Sequence, residues 1–426
     1  MDEASCDKVT NRTIFWSSER QGILSEQQEN MTAIVGVPRE TFPGERRVAL
    51  TPRACETLIK AKLGIIVEHS AGLAAGFTDE EYAKRGVRLG TRAEVFAESD
   101  IIVQARSVGA NPDHGRADVP LFRPGQVVIG FGDPLTSLRE DLTLAQAGVS
   151  FFAMELVPRI TRAQAMDALS SMASIAGYEA VLLAASALPK MFPMMMTAAG
   201  TITPAKVLVL GAGVAGLQAI ATARRLGAVV SAYDLRSAVK EQIESLGAKF
   251  VVLDLDASAG EGQGGYAKAM DEAFYNRQRE LLTEVLKEQD VVITTAAVPG
   301  RKAPILVTAQ MAEAMAPGSV IVDIAAERGG NCELTRAGET IVHHGVTIIG
   351  PTNLPSSKAF HASQMYATNI VNLLKLLVKD GAVALNLEDE IIRESLVTHE
   401  GKVVQPRIVP LVEAPGAKPG EESAKS

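Results

Sequence analysis

The stretch KVLVLGAGVAGLQAIATARRLGAVVSAYD, residues 206–234, decides the fold. An apolar strand pattern runs into Gly211-Ala212-Gly213-Val214-Ala215-Gly216, and helix-forming sequence follows to Leu226. Gly227 closes that helix, and a second apolar run ends on Asp234. In such a strand–loop–helix, Gly211 allows the tight turn, Gly213 lets backbone approach a pyrophosphate, and Gly216 lets the helix sit close to the sheet. The free N–H groups and dipole of the helix start attract phosphate. Asp234 falls where a carboxylate hydrogen-bonds the adenosine ribose. The candidate cofactor-binding residues are Gly211, Ala212, Gly213, Val214, Gly216, Asp234, Leu235 and Arg236. Asp234 would repel a 2′-phosphate and so favours NAD(H); Arg236 could instead accept that phosphate, but the carboxylate at the strand end carries more weight.

Outward from this unit, six strand patterns make one series: 206–210, 228–233, 249–253, 290–295, 319–325 and 346–350. An earlier series, 33–37, 64–69, 100–105, 126–130 and 149–154, alternates with helix patterns such as 52–62 and 136–147. Strand–helix alternation at this spacing predicts parallel sheets with helices on both faces. The fold class expected is α/β, with two doubly wound parallel-sheet, Rossmann-like domains linked by long helices. The first α/β domain is expected over residues 31–167 plus 358–395, and the NAD(H)-binding Rossmann domain over 168–357. Residues 160–190 read as helix, and the sequence after Pro355 as one helix returning to the first domain. The methionines of MFPMMMTAAGTITP (191–204) read as gap-filling core.

At 426 residues the chain is long enough for two domains and tails. Its net charge of −8 leaves no broad basic surface for nucleic acid. Cys6, Cys55 and Cys332 lie far apart, with no CxxC, so neither structural zinc nor a disulfide framework is expected, and no metal site. The cytoplasm fits best. No apolar run reaches the roughly 18 residues of a bilayer span. Residues 1–30 read as a disordered extension or a misplaced start before Met31, and 414–426 as a disordered tail. Oxidising an alcohol or amine moves a proton as well as a hydride and needs a His or Lys near the nicotinamide. His69, His114, His343, His344, His361 and His399 offer no convincing setting; His343 and His344 precede a strand, where adjacent side chains point to opposite faces.

VPRETFPGERRVALTP (37–52), the glycine motif, VPGRKAP (298–304) and VDIAAERGG (322–330) resemble the alanine dehydrogenase and nicotinamide nucleotide transhydrogenase superfamily. The alanine dehydrogenase branch carries lysines in the strand equivalent to 101–107, where this chain has Gln104 and Arg106, and a histidine in the segment equivalent to 127–134, which here has none. MELVPRITRAQAMDALSSMASIAGYEAV (154–181) is similar instead to domain I of proton-translocating transhydrogenase.

That resemblance implies an enzyme of the Si-specific/Re-specific, proton-translocating type, active only with its partners. Domain I binds NADH, a domain III carries NADP(H), and a membrane domain II couples the reaction to proton passage. Hydride then passes directly between two nicotinamides with no general base, so catalysis rests on near-attack geometry and exclusion of water. Arg159, Asp167 and Ser170 are implied to orient the NADH carboxamide and neighbouring groups, and Gln164 to lie where the second nicotinamide arrives. ASAGEGQGGYAK (257–268) resembles the family's mobile loop, with Tyr266 folding over nucleotide, and Gln278 resembles a residue lining the site. A homodimer attached to the inner membrane through its partners is implied. An alanine-type amino-acid dehydrogenase and a non-catalytic NAD-binding regulator are the alternatives.

Overall fold

The computed structural model describes residues 32–253, 272–298 and 300–414. The expected extension at 1–30, the 257–268 loop with Tyr266, and the tail after 414 lie outside the described residues. The first sheet contains β1 (Ile34–Val37), β2 (Gly64–Glu68), β3 (Arg88–Gly90), β4 (Ile101–Arg106), β5 (Val127–Phe131) and β6 (Ser150–Ala153). A two-stranded ribbon, β7 (Met195–Thr197) and β8 (Gly200–Ile202), precedes the second sheet. That sheet holds β9 (Lys206–Leu210), β10 (Val229–Tyr233), β11 (Lys249–Phe250), β12 (Val291–Thr294), β13 (Val320–Asp323), β14 (Thr340–His343) and β15 (Val346–Ile349). A short ribbon, β16 (Val378–Lys379) and β17 (Ala382–Val383), leads to β18 (Leu396–His399) and β19 (Lys402–Val403).

The first sheet runs β19-β18-β6-β5-β4-β1-β2-β3, and the second β11-β10-β9-β12-β13-β15-β14. Strands β1 to β6 are parallel, and so are β9 to β13 with β15. Each parallel set therefore has the doubly wound order in which the chain leaves the middle of the sheet in opposite directions. The two crevices fall between β1 and β4 and between β9 and β12. Val, Ile and Leu fill these strands because both faces are covered by helices.

Two additions escape the periodicity. β14 pairs antiparallel with β15, and β18 pairs antiparallel with β6 and β19. The strands at 396–403 thus join the first sheet beyond the expected boundary at 395. They are a short hairpin whose apolar pattern is too brief to register.

Seven helices matter here: α1 (Pro52–Lys60), α2 (Leu138–Gln146), α3 (Ala168–Ala187), α4 (Val214–Arg225), α5 (Glu272–Leu286), α6 (Ala309–Glu313) and α7 (Ala359–Leu377). Thr51 caps α1, accepting from the Ala54 N–H, and Pro52 takes the first turn, where no N–H is needed. Buried residues of α7 join the first core, with Tyr366 fully enclosed and donating to the Gln104 carbonyl at 2.8 Å.

Three expectations are corrected. Residues 160–190 are not one helix: a 3₁₀ turn at Thr161–Met166 comes first, and α3 starts after Asp167. At 20 residues, α3 is long and apolar enough to cross a membrane, contrary to the sequence reading. It is a packing helix here, rich in Ala because it lies against other helices. Finally, Met194, Met195 and Met196 are exposed on or beside the β7–β8 ribbon. Among the described residues no layer covers this ribbon, so it offers no core for them to fill.

Candidate nucleotide-binding site

β9 ends at Leu210 and the chain turns through Gly211 at φ +98, a conformation that strains any residue with a Cβ. The turn is pinned from three sides. Gly211 N–H donates to the Tyr233 carbonyl at 2.8 Å, and Thr295 Oγ1, just after β12, donates to the Gly211 carbonyl at 3.0 Å. A Cβ on Gly216 would sit 1.9 Å from that same carbonyl, so α4 can approach the strand end only with glycine there. Gly213 differs: among the described residues, no atom lies within 4 Å of where its Cβ would be, and no side chain caps α4 at this residue. Val214 is likewise exposed, while Ala212 is buried. The open space therefore faces the uncapped N–H groups of a helix start, the donor set and dipole that hold a phosphate.

Asp234 ties the loop to the next strand. Oδ2 accepts from Ala212 N–H at 2.7 Å and Arg236 Nη2 at 2.8 Å, and Oδ1 from Arg236 N–H and Nε at 2.8 and 2.9 Å. Burial alone would raise its pKa, but the guanidinium and the two backbone donors hold it below the usual carboxylate range. Four accepted bonds fill a carboxylate. A ribose hydroxyl would therefore replace Arg236, not add to it. Leu235 packs beside this turn on the second domain's core. Buried Gln278 on α5 donates to Tyr233 Oη at 2.7 Å, under the strand end that bears Asp234.

The second group lies at the start of α3. Asp167 is its N-cap: Oδ1 accepts from the Ser170 N–H at 2.9 Å, and Ser170 Oγ donates to Oδ2 at 2.6 Å. Both side chains are half-buried and locked in one geometry by a strong capping bond. Arg159 and Gln164 are exposed on the chain leading into the cap. What brings this end to the glycine loop is Gly177. Its Cβ would lie 2.1 Å from the Ala215 carbonyl, so α3 crosses the first turn of α4 in direct backbone contact. At about 1.5 Å per residue, Ser170 and Asp167 stand roughly 10–15 Å along α3 from that crossing. Lys358, just before α7, pairs with Glu179 of α3 at 2.9 Å and steadies the crossing helix.

Two residues absent from the sequence-derived set, Asp323 and Asn331, shape the cleft floor. Fully buried Asp323 accepts from Thr294 Oγ1, Ala325 N–H, Asn331 N–H, Cys332 N–H and Thr335 Oγ1. Asn331 then accepts from Ala296 N–H at 2.9 Å and donates to the Ala296 carbonyl at 2.8 Å, holding the strand end beside Thr295. VDIAAERGG singles out this segment, but no spacing rule links Asp323 to Asn331. Across the cleft, Arg106 of the first domain reaches Glu327 at 3.2 Å, Arg328 pairs with Asp133, and a Cβ on Gly300 would meet Leu135 Cβ at 2.8 Å.

Among the described residues, the hydrogen-bond partners of His69, His343 and His399 are Asp79, Glu313 and Ser150, none of them in either half of this site. Gln104 is buried against Asp118, and Arg106 is held by Glu45 and Glu327 with its guanidinium 4.1 Å over the Phe42 ring.

Fold and site together define a two-domain Rossmann-like protein with a glycine loop on one domain and a polar helix start leading to it. Residues 36–176 match the alanine dehydrogenase/PNT N-terminal domain and residues 180–406 the alanine dehydrogenase/PNT C-terminal domain. The chain belongs to this family. It is 47% identical over 394 residues to NAD(P) transhydrogenase subunit alpha of Cereibacter sphaeroides, covering 91% of this chain and 74% of that one. The crystal structure of transhydrogenase from Sinorhizobium meliloti superposes with a TM-score of 0.79 at 46% identity, covering 87% of this chain and all of that one. Alanine dehydrogenase of Bacillus subtilis is more distant, 29% identical over 389 residues, or 87% of this chain and 92% of that one.

Proposed function

We propose that this chain is the NAD(H)-binding subunit of a proton-translocating transhydrogenase, passing hydride directly between NADH and NADP⁺ held by a partner subunit. The observation that carries this reading is the Gly177–Ala215 contact, which sets the Asp167–Ser170 cap at a dinucleotide's reach from the glycine loop. The uncapped N–H groups at Gly213 bind the pyrophosphate, and Asp234 takes the adenosine ribose once Arg236 swings aside. Asp167 and Ser170 orient the carboxamide, and Arg159 contacts the adjoining phosphate and ribose. Exposed Gln164 meets the incoming second ring.

Bound NAD(H) supplies a ring carbon that gains or loses hydride with no accompanying proton. The chain's own task is to hold that ring still and dry. It needs no acid or base there, in keeping with histidines hydrogen-bonded elsewhere. The partner's NADP(H) is a substrate, and membrane attachment and proton coupling come from further subunits. The exposed methionines of the β7–β8 ribbon suit a second copy of this chain, supporting a homodimer.

The test is to mix the chain with a transhydrogenase NADP-binding subunit and follow hydride transfer to an NAD analogue. Transfer is expected only in the mixture. Asp167→Asn should slow transfer by about 100-fold while changing NADH affinity by less than about threefold, because ring placement is disturbed and not the phosphate cradle. Equal losses in both would leave Asp167 a helix cap and no more. Pyruvate- and ammonia-dependent NADH oxidation by the lone chain would overturn the proposal in favour of the alanine-type reading.

A further inference from the structure

Away from the cleft, His343 and His344 stand side by side at the tip of the β14–β15 hairpin, facing Glu313. His343 Nε2 lies 2.8 Å from Glu313 Oε1, and His344 Nε2 3.8 Å from the same oxygen. One ligand atom from each of the three residues lies within 4.8 Å of the others. The expectation that adjacent strand side chains diverge fails here for a definable reason. His343 still pairs with Val346 as the last residue of β14. His344 and Gly345 form the two-residue turn, at φ 50 and 80, a conformation usually given to Asn, Asp or Gly. The turn breaks the alternation and brings the imidazoles to 4.6 Å between ring centroids. Glu313 ends α6, so a hairpin and a helix supply the three groups. β14 is the edge strand of its sheet, three strands from β12 and the crevice.

We propose that Glu313, His343 and His344 form a site for a divalent transition-metal ion, zinc being the best match. Two imidazole nitrogens and a carboxylate oxygen are the donors zinc takes, with water completing the tetrahedron. Bonds of about 2.0–2.2 Å in that geometry separate the ligand atoms by roughly 3.3–3.5 Å. The observed separations bracket this value, and all three side chains are at the surface, so rotations of about 1 Å at their tips suffice. A bound ion ties the edge hairpin to α6, so its role is to fasten the sheet edge and not to take part in chemistry at the cleft.

The experiment uses the full chain, untagged and stripped with a chelator, titrated with Zn²⁺ alone by calorimetry, and with Co²⁺ as a visible-absorbing substitute. One ion per chain at micromolar affinity is expected, with the intense absorption of four-coordinate Co²⁺. His344→Asn suits the left-handed turn and so keeps the fold, and Glu313→Gln is isosteric; each should weaken binding by about tenfold or more. Zn²⁺ should raise the Tm of the parent and not of His344→Asn, with NADH affinity unchanged in both. No uptake at submillimolar Zn²⁺ would overturn the proposal. So would affinity unchanged in His344→Asn and Glu313→Gln, which would move the ion to another site.

Discussion

In the first sheet, the loop after β1 turns back and lays Glu40 against the end of β4, where its carboxylate accepts from the N–H groups of Ala105 and Arg106 at 2.6 and 3.1 Å. Beside it Glu45 is clasped by Arg47 at 2.6 Å and Arg106 at 3.3 Å. In the second sheet the corresponding loop, after β9, contributes Gly211 and Gly213, and beyond Gly213 there is open space among the described residues. The strand order and crevice position are the same in both. What differs is the side chain that the loop after the first strand carries. A long, half-buried acid satisfies the neighbouring strand end from within and makes a wall. Glycines leave helix N–H groups facing outward and make a cradle. A topological switch point is thus an opportunity for binding that the chain itself can occupy.

The sharpest way to break this contrast is to fill the open crevice. Gly216→Val drives a side chain into the Gly211 carbonyl and should cost about 3 kcal/mol or more of stability, with NADH binding lost. Gly213→Ala separates the two effects, since it meets no atom of the described residues and its φ of −75 suits alanine. Its melting temperature should stay within about 2 °C of the parent while NADH affinity, read by fluorescence titration, falls at least about tenfold. Unchanged affinity would mean that the space beyond Gly213 is not where the pyrophosphate lies.

The complementary change empties the filled crevice. Glu40→Ala leaves two part-buried N–H groups without their acceptor and should destabilise the chain by about 1–3 kcal/mol in denaturant unfolding. NADH affinity of the second domain should hold. New nucleotide binding by the first domain in this variant would show that the side chain alone separates the two crevices.

The wall also has a pH signature. Burial pushes Glu40 up to about 8, and neighbouring Glu45 adds to this. Against burial, Arg47 and Arg106 hold Glu45 down to about 2. Burial likewise raises Asp141 on α2 to about 8 and Glu155 after β6 to about 7, and among the described residues both Asp141 oxygens are enclosed without a hydrogen-bond partner. A carboxyl with a raised folded pKa binds its proton more tightly in the folded chain. Its contribution is fully present below the unfolded value near 4 and is lost as pH rises through 7 to 8. Glu45 acts oppositely, but only as pH falls toward 2. Stability should therefore decline between about pH 4 and pH 8, and Asp141→Asn should recover about 2 kcal/mol at pH 8 and less at pH 6. A parent curve flat over that range would mean these acids are hydrated.

This contrast also marks how far the sequence could be read. The glycine motif was legible because turn, close approach and helix start each demand glycine at a fixed spacing, and strand alternation exposed both sheets. Glu40 as a plug was not legible: an acid in a polar loop looks solvated until the fold lays β4 beneath it. Nor was the meeting of α3 with α4, because Gly177 sits in an Ala- and Ser-rich helix where a small residue signals nothing until Ala215 is found against it. Asp167 and Ser170 could be placed on one helix face by their spacing, yet their distance from the glycine loop depends on that crossing. The convergence of His343 and His344 was not legible, because period-two alternation holds within a strand and ends at a turn.

The smallest effect concerns how the two sheets are joined. Glu155 accepts from the Gly132 and Asp133 N–H groups at 2.8 and 2.5 Å, fixing the loop whose Asp133 pairs with Arg328 of the second domain. Arg328 and Asp133 are each about a third exposed, at 37% and 31%, so water and salt screen the pair. Arg328→Gln should cost less than about 1 kcal/mol, and a double-mutant cycle with Asp133→Asn should give a coupling of about 0.2–1 kcal/mol that shrinks in high salt. The packing of Gly300 on Leu135 should survive both changes. A coupling above about 2 kcal/mol, insensitive to salt, would place the pair in a desolvated seam. Wall and cradle would then unfold as one cooperative unit, and the pH dependence assigned to the first sheet should appear equally in probes of the second.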